Sequence, residues 1–215
     1  MFTDRKDAAL KLAKALEKYK DKNVIVLGIP RGGAETAYYI ALHLHAEFSL
    51  LISRKLGHPS NPEYALGAIA EDGSVYLSPF ANEEFSKETI NEIIDLQKKE
   101  IERRIKILRK GKPLPDLKDR TVILADDGIA TGATIFAAIE MCKKRKAGKI
   151  VIAAPVSGYD MEETLAEKAD EVIILEKPGD FFAVSQAYQS FYNLSDDDAL
   201  GFMERWEKEK GVLKS

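Results

Sequence analysis

Val122-Ile123-Leu124-Ala125-Asp126-Asp127-Gly128-Ile129-Ala130-Thr131-Gly132-Ala133-Thr134 runs from an apolar strand through two adjacent carboxylates into a glycine-bearing turn and then into the start of a helix. Gly128 and Gly132 permit tight backbone paths. The N–H groups around Thr131 to Thr134 and the hydroxyls of Thr131 and Thr134 converge where the dipole of the following helix favours an anion, which makes the turn a phosphate cup. Two carboxylates at the end of the strand would repel a phosphate set directly on them, yet they accept hydrogen bonds from a sugar diol held one step away. A sugar phosphate satisfies both halves, with Asp126 and Asp127 on ribose hydroxyls and the turn on the 5-phosphate.

Upstream, Ala8, Ala9, Leu12, Ala13 and Leu16 recur at helical spacing behind a Thr3 or Asp4 cap, predicting a first helix that ends near Lys20-Asp21. Val24 to Leu27 is a buried-strand run, broken by Gly28-Ile29-Pro30-Arg31-Gly32-Gly33. Ala34 to Leu44 then reads as the return helix of a βαβ unit whose second strand is Phe48 to Ser53. Arg54 to Leu77 carries Gly57, Pro59, Pro62, Gly67 and Gly73 around two short β-prone runs, Leu66 to Ala70 and Val75 to Leu77, and is an inserted loop and hairpin with the makings of a lid. Ser86 to Lys110 is a long amphipathic helix with one packed face, and Lys106, Arg109 and Lys110 in its last turns suit the helix dipole.

Downstream of Pro113-Leu114-Pro115, strand and helix alternate: Thr121 to Ala125 with Thr131 to Lys146, Lys149 to Ala154 with Asp160 to Ala169, and a last core strand over Glu171 to Leu175. The alternation predicts an α/β fold with a mostly parallel, twisted sheet flanked by helices, and residues 1–215 form one domain. Neither a Gly-x-x-x-x-Gly-Lys-Ser/Thr nor a Gly-x-Gly-x-x-Gly pattern occurs.

The chain has 215 residues, 45% of them hydrophobic, enough for a substantial core. Its net charge of −3 argues against a general nucleic-acid or membrane binder, so any anionic ligand must be held by local groups. Cys142 is the only cysteine, which excludes an intramolecular disulfide and points to a reducing cytoplasm. The first residues lack the apolar core of a signal peptide, and a soluble, untargeted protein is expected. His43, His45 and His58 have no second ligand at zinc spacing, and Lys143 to Lys146 sit at a helix end, where the dipole accounts for them.

The Val122 to Thr134 stretch resembles the phosphoribosyl-pyrophosphate (PRPP) signature of type I phosphoribosyltransferases, in which apolar residues lead to two acids and a Thr-Gly-x-Thr-like phosphate loop. Strand, acid pair, spacing and helix start agree, and the resemblance extends over nearly the whole chain. Gly28 to Gly33 resembles the family's pyrophosphate loop, so PRPP contacts are implied for Pro30, Arg31, Gly32 and Gly33 and for Asp126, Asp127, Gly128, Ile129, Ala130, Thr131, Gly132, Ala133 and Thr134. Arg54-Lys55 looks like the cationic head of the family's flexible catalytic loop. Ser53 to Gly57, Asn61-Pro62-Glu63 and Phe181 to Val184 further resemble a group of stand-alone phosphoribosyltransferase-domain proteins, some fused to hydrolase domains.

The resemblance implies a glycosyltransferase of nucleotide metabolism that passes the 5-phosphoribosyl group from PRPP to a nitrogenous base with release of pyrophosphate, helped by Mg²⁺. Arg31, Arg54 and Lys55 would neutralise the leaving group, with Asp126 and Asp127 on the sugar and touching Mg²⁺ through water. Closure of the 54–77 insertion would shield the sugar cation, with Glu63, Tyr64 and Glu71 lining that lid. Ala130 stands where relatives acting on 6-oxopurines carry an acid, which argues against hypoxanthine or guanine. Residues 176–215 would form the C-terminal hood and tail, with Phe181 and Phe182 offered to the base. The expected partners are PRPP, a small heterocyclic base and a second copy in a homodimer, without nucleic acid or membrane. The competing reading is a non-catalytic PRPP-sensing regulator of the same fold; only about twenty residues precede Val24, too few for a winged helix.

Overall fold

The computed structural model describes residues 1–58 and 61–213, without the side chains of 61–64 and 211–213. In chain order the elements are α1 (Arg5–Ala15), β1 (Val24–Gly28), α2 (Gly32–Leu44), β2 (Glu47–Leu50), β3 (Ser53–His58), β4 (Asn61–Ala70), β5 (Val75–Leu77), α3 (Ala81–Glu84), α4 (Lys87–Leu108), β6 (Thr121–Ala125), α5 (Ala133–Lys144), β7 (Lys149–Val156), α6 (Met161–Ala166), β8 (Glu171–Glu176) and α7 (Asp196–Leu213). Short 3₁₀ turns follow α1 at Glu17–Tyr19 and precede α7 at Val184–Ala187.

Five strands form a parallel sheet in the order β2, β1, β6, β7, β8, as the alternating sequence requires. Strand side chains alternate between two cores. Val24, Val26, Ile123, Ala125, Val151 and Ala153 pack with α1, α2 and α7, whereas Ile25, Leu27, Val122, Leu124, Ile150 and Ile152 pack with α5 and with Leu165 of α6. Burial on both faces is why these strands read as unbroken apolar runs.

The insertion folds into a three-stranded antiparallel sheet, β3, β4, β5. The single strand expected over Phe48 to Ser53 is split: β2 ends at Leu50, and after Leu51-Ile52 the chain leaves the parallel sheet to begin β3 at Ser53. A buried ion pair holds this departure in place. Glu71 Oε1 accepts from Ile52 N at 3.1 Å and from Arg109 Nη1 at 2.8 Å, Arg109 Nη2 bonds Glu71 Oε2, and Nη1 also reaches the Leu50 carbonyl at 3.0 Å. Arg109 and Glu71 side chains are 3% and 5% exposed, so Arg109 is a buried strut rather than the solvated dipole cation expected. Glu71, placed by sequence on the lid, is its partner. The side chains of Glu63 and Tyr64, and residues 59 and 60, lie outside the described residues.

Helix α4 follows its prediction closely, with Ser86 as cap accepting from Thr89 N at 3.2 Å. Helix α7 had no counterpart in the sequence reading. Ser195 and Asp198 cap it reciprocally at 2.8 and 3.1 Å, and Ala199, Phe202 and Trp206 at helical spacing bury against the α2 side of the core. Tyr38 of α2 donates to Glu209 at 2.8 Å, and Arg103 of α4 to Asp196 at 2.6 Å, fixing α7 at both ends. The described residues from 176 to 213 thus divide into a segment that runs past the carboxyl ends of the strands and a helix packed on α2 and α4.

Candidate active site

The acid-bearing turn after β6 and the glycine turn after β1 share one wall, because β1 and β6 are neighbours with Gly28 opposite Ala125. Ile29 N donates to the Ala125 carbonyl at 3.1 Å. A Cβ on Gly32 would lie 1.8 Å from Asp127 Oδ2, and one on Gly33 would lie 2.6 Å from the Ala125 carbonyl and 3.0 Å from Asp126 Oδ1. Glycine at these positions is therefore a matter of close approach, not of turn geometry alone. The Pro30–Arg31 peptide is cis, and Arg31 is exposed at the mouth of the turn.

Asp126 and Asp127 are half-buried and differ in their surroundings. Asp126 Oδ1 accepts the Asp127 amide at 2.9 Å. Asp127 Oδ2 accepts from Arg5 Nε at 2.7 Å, and the Asp127 carbonyl accepts from the Tyr188 hydroxyl. Burial, and then the charge of Asp127, push the Asp126 pKa well up. Burial raises that of Asp127 too, against the opposing pull of Arg5. Glu35, one turn into α2, is a third buried carboxyl; burial raises its pKa, and its Oε2 has no partner among the described residues.

The turn before α5 leaves backbone donors uncapped. Gly132 adopts φ +70° as the residue before α5, and no side chain caps the helix, leaving its first-turn N–H groups open to an anion. Ile129 is pinned inward by its amide bond to the Val156 carbonyl at 2.9 Å, which leaves Ala130 and Thr131 exposed. A cleft of about 160 Å³ joins Lys55, Asp126, Gly128, Thr131, Thr134 and Val184. A larger groove of about 930 Å³ lies elsewhere, between the start of β2, the end of α4 and α7, and includes neither acid turn nor glycine turn. The chemistry of the donors, not the size of the concavity, selects the smaller one.

Strand alternation divides Arg54 from Lys55. Lys55 lines the cleft, and its strand neighbour Ser53 bonds the Thr134 carbonyl at 3.2 Å on the same face. Arg54 is directed to α4, where its Nε donates to Gln97 at 3.1 Å. Burial lowers the Arg54 pKa, and Arg104 and Arg31 lower it further against the opposing pull of Glu100 and Asp196, so the guanidinium stands in a field of mixed charge.

Past β8, Phe181 packs on the small cluster of Phe2, Val156 and Tyr188, 3.7 Å from a Cβ position on Gly158, whereas Phe182 is 84% exposed. Gln186 Oε1 accepts from the Phe182 and Ala183 amides at 2.7 and 2.8 Å and fixes this loop. Val184 stands against Gly128, where a Cβ would meet it at 2.5 Å.

As hard oxygen donors, of which Asp126 carries no cationic partner in a described ion pair, the acid pair fits Mg²⁺ held through water. No group of three or more His, Cys, Asp or Glu side chains able to hold a metal occurs among the described residues, so the protein would contribute only part of a coordination shell. The histidines are engaged elsewhere, His45 with Asp21 at 2.8 Å and His43 with Glu17. Cys142 is buried on α5 with its thiol pushed up to about 12, in keeping with a packing role.

Sequence reasoning missed Arg5, Glu35, Val184 and Tyr188. Arg5 had a signal: it shares the buried stripe of α1 with Ala8, Ala9 and Leu12, and a charge on an apolar face needs a partner.

Residues 4–190 match the phosphoribosyl transferase domain family. The chain is 39% identical over 207 residues to proteins of Mycobacterium tuberculosis strains CDC 1551 and H37Rv, named "Putative phosphoribosyl transferase" MT0597 and Rv0571c. The match covers 95% of this chain and 47% of those relatives, so the chain spans about half their length. Among solved structures, TT1426 from Thermus thermophilus superposes with a TM-score of 0.81 at 35% identity, covering 95% of this chain and 98% of that one. No helix among the described residues is long and apolar enough to cross a membrane. Parallel sheet, paired turns and these likenesses agree: the chain belongs to the phosphoribosyl transferase domain family.

Proposed function

We propose that the protein transfers the 5-phosphoribosyl group of PRPP to a ring nitrogen of a small heterocyclic base, releasing pyrophosphate. The observation that carries this reading is the contact of the two turns, with Gly32 so close to Asp127 that a side chain could not intervene. A sugar with phosphate at both ends would rest its diol on Asp126 and Asp127. Its 5-phosphate would meet the open N–H groups at the start of α5 and the hydroxyls of Thr131 and Thr134, and its pyrophosphate the Arg31 to Gly33 turn.

In the reaction the bond from the anomeric carbon to pyrophosphate breaks, the bond to nitrogen forms, and the base loses a proton. Positive charge grows on the sugar and negative charge on the leaving group, so donors fixed at the departing oxygens accelerate it, each worth on the order of 10²- to 10³-fold. Lys55, which lines the cleft, and Arg31, exposed at the glycine turn, would serve that task. Arg54, directed to α4, would act on the pyrophosphate only through its charge at longer range. Mg²⁺, held through water by Asp126 and Asp127 and by ligand oxygens, would supply further charge neutralisation. The exposed Phe182 ring is free to stack on a heterocycle. Ala130 brings no acid to the base, which favours an acceptor other than a 6-oxopurine.

The test is pyrophosphate release from Mg²⁺–PRPP across a panel of bases. Release that depends on one base identifies the acceptor; tight PRPP binding without release for any base would mark a sensor rather than a transferase.

A further inference from the structure

The acid pair is braced from one side only. Arg5, at the head of α1, is 4% exposed. Its Nε donates to Asp127 Oδ2 and its Nη1 to the Tyr192 carbonyl, each at 2.7 Å, and its guanidinium carbon lies 3.8 Å from the centre of the Phe191 ring. The Tyr188 hydroxyl reaches the backbone of the same aspartate. Asp127 is thus gripped by α1 and by residues 188–192, neither of which supplies a phosphate-binding turn. Asp126, by contrast, lines the cleft and takes only the Asp127 amide among described partners.

We propose that Arg5 is a positioning residue for ribose recognition: by engaging Asp127 Oδ2 it fixes that carboxylate against Gly32, so that the sugar diol meets two acceptors at a set spacing. An apolar residue would fill the space but not do this. Without the guanidinium, Asp127 would lose its ion-pair partner beside Asp126 and be free to rotate. The planar fork suits the place, since it bonds a carboxylate and a carbonyl while its face lies on an aromatic ring. The guanidinium does not line the cleft, and its effect is exerted through Asp127.

The inference rests on the ribose reading of the acid pair. Calorimetry with ribose 5-phosphate, 2-deoxyribose 5-phosphate and Mg²⁺–pyrophosphate separates the two, using wild type, Arg5→Met, Arg5→Lys and Phe191→Leu. Arg5→Met should lose about tenfold or more in ribose 5-phosphate affinity, as expected for a misplaced contact, and most of the preference for ribose over 2-deoxyribose, while pyrophosphate binding holds. Arg5→Lys should recover part of the preference. Phe191→Leu, which keeps the cation and removes its stacking surface, should show a smaller loss in the same direction, and it decides the matter if Arg5→Met does not fold. An unchanged sugar preference in the folded variants, or equal losses for sugar phosphate and pyrophosphate, overturns the positioning role. A wild type that binds neither sugar phosphate, or binds both alike, overturns the ribose reading itself.

Discussion

Asparagine at Asp126 should move stability and binding in opposite directions. The carboxyl is half-buried beside Asp127, and its folded-state pKa lies well above the ordinary 3.8. The folded protein therefore holds this proton more tightly than the unfolded chain, and stability falls as pH rises from about 3.8 through the folded-state value. At pH 7 the charge is a standing cost, so Asp126→Asn should be more stable than wild type at that pH. The asparagine oxygen can keep the bond to the Asp127 amide. In a chain of this size each kcal/mol gained raises Tm by roughly 2 to 4 °C. Glu100 and Glu171, each held down to about 2, contribute in the opposite sense, losing stability as pH falls below 4.5, but they are common to both proteins and cancel in the difference. Binding should suffer: two charge-assisted hydrogen bonds to a diol, each worth about 1.5 to 3 kcal/mol, make the loss in ribose 5-phosphate affinity roughly 10² to 10⁴. Urea denaturation of both proteins from pH 4 to 8, with calorimetry at pH 7, reads both effects. A stability difference that does not widen with pH refutes the electrostatic reasoning, and wild-type affinity in the variant refutes the diol contact.

Three further substitutions probe other parts of the structure. Glu71→Ala should cost about 3 to 5 kcal/mol in urea denaturation, because it strands the buried Arg109 guanidinium; a cost below about 1 kcal/mol would mean that water reaches the pair. Gly32→Ala should displace Asp127, since its Cβ would fall 1.8 Å from Oδ2, and a misplacement of that order costs about 10² in turnover; near-normal PRPP turnover would show that the two turns can part. Lys55→Ala should slow turnover by on the order of 10²-fold with little change in PRPP affinity; weaker binding at an unchanged rate would remove it from the reaction.

The parallel core could be read from sequence because its central strands β1, β6 and β7, buried on both faces, are nearly continuous apolar runs. The turn from β6 into α5 could be read because Gly128, Gly132 and the helix start announce its backbone path. Contacts between distant segments could not. Arg5 is 122 residues from Asp127, and no local pattern names its partner, although its place on an apolar stripe signals that one exists. Arg109 sits like any helix-terminal cation until Glu71 is brought against it by the turn from β2 to β3. Helix α7 carries its own cap and apolar spacing from Ser195 to Trp206, but the expectation of a tail obscured them. Arg54 and Lys55 were read as a unit, whereas the period of two in a strand sends them to opposite faces.

The central claim, that one sugar bearing phosphates at both ends spans the two turns, is met most directly by a crystal structure of the protein with Mg²⁺ and PRPP. The account predicts density for the 5-phosphate at the first turn of α5, for the ribose hydroxyls on the acid pair and for the pyrophosphate on Arg31 to Gly33. A ligand bound in the groove between β2 and α7, or one whose phosphates engage only one of the two turns, would contradict it.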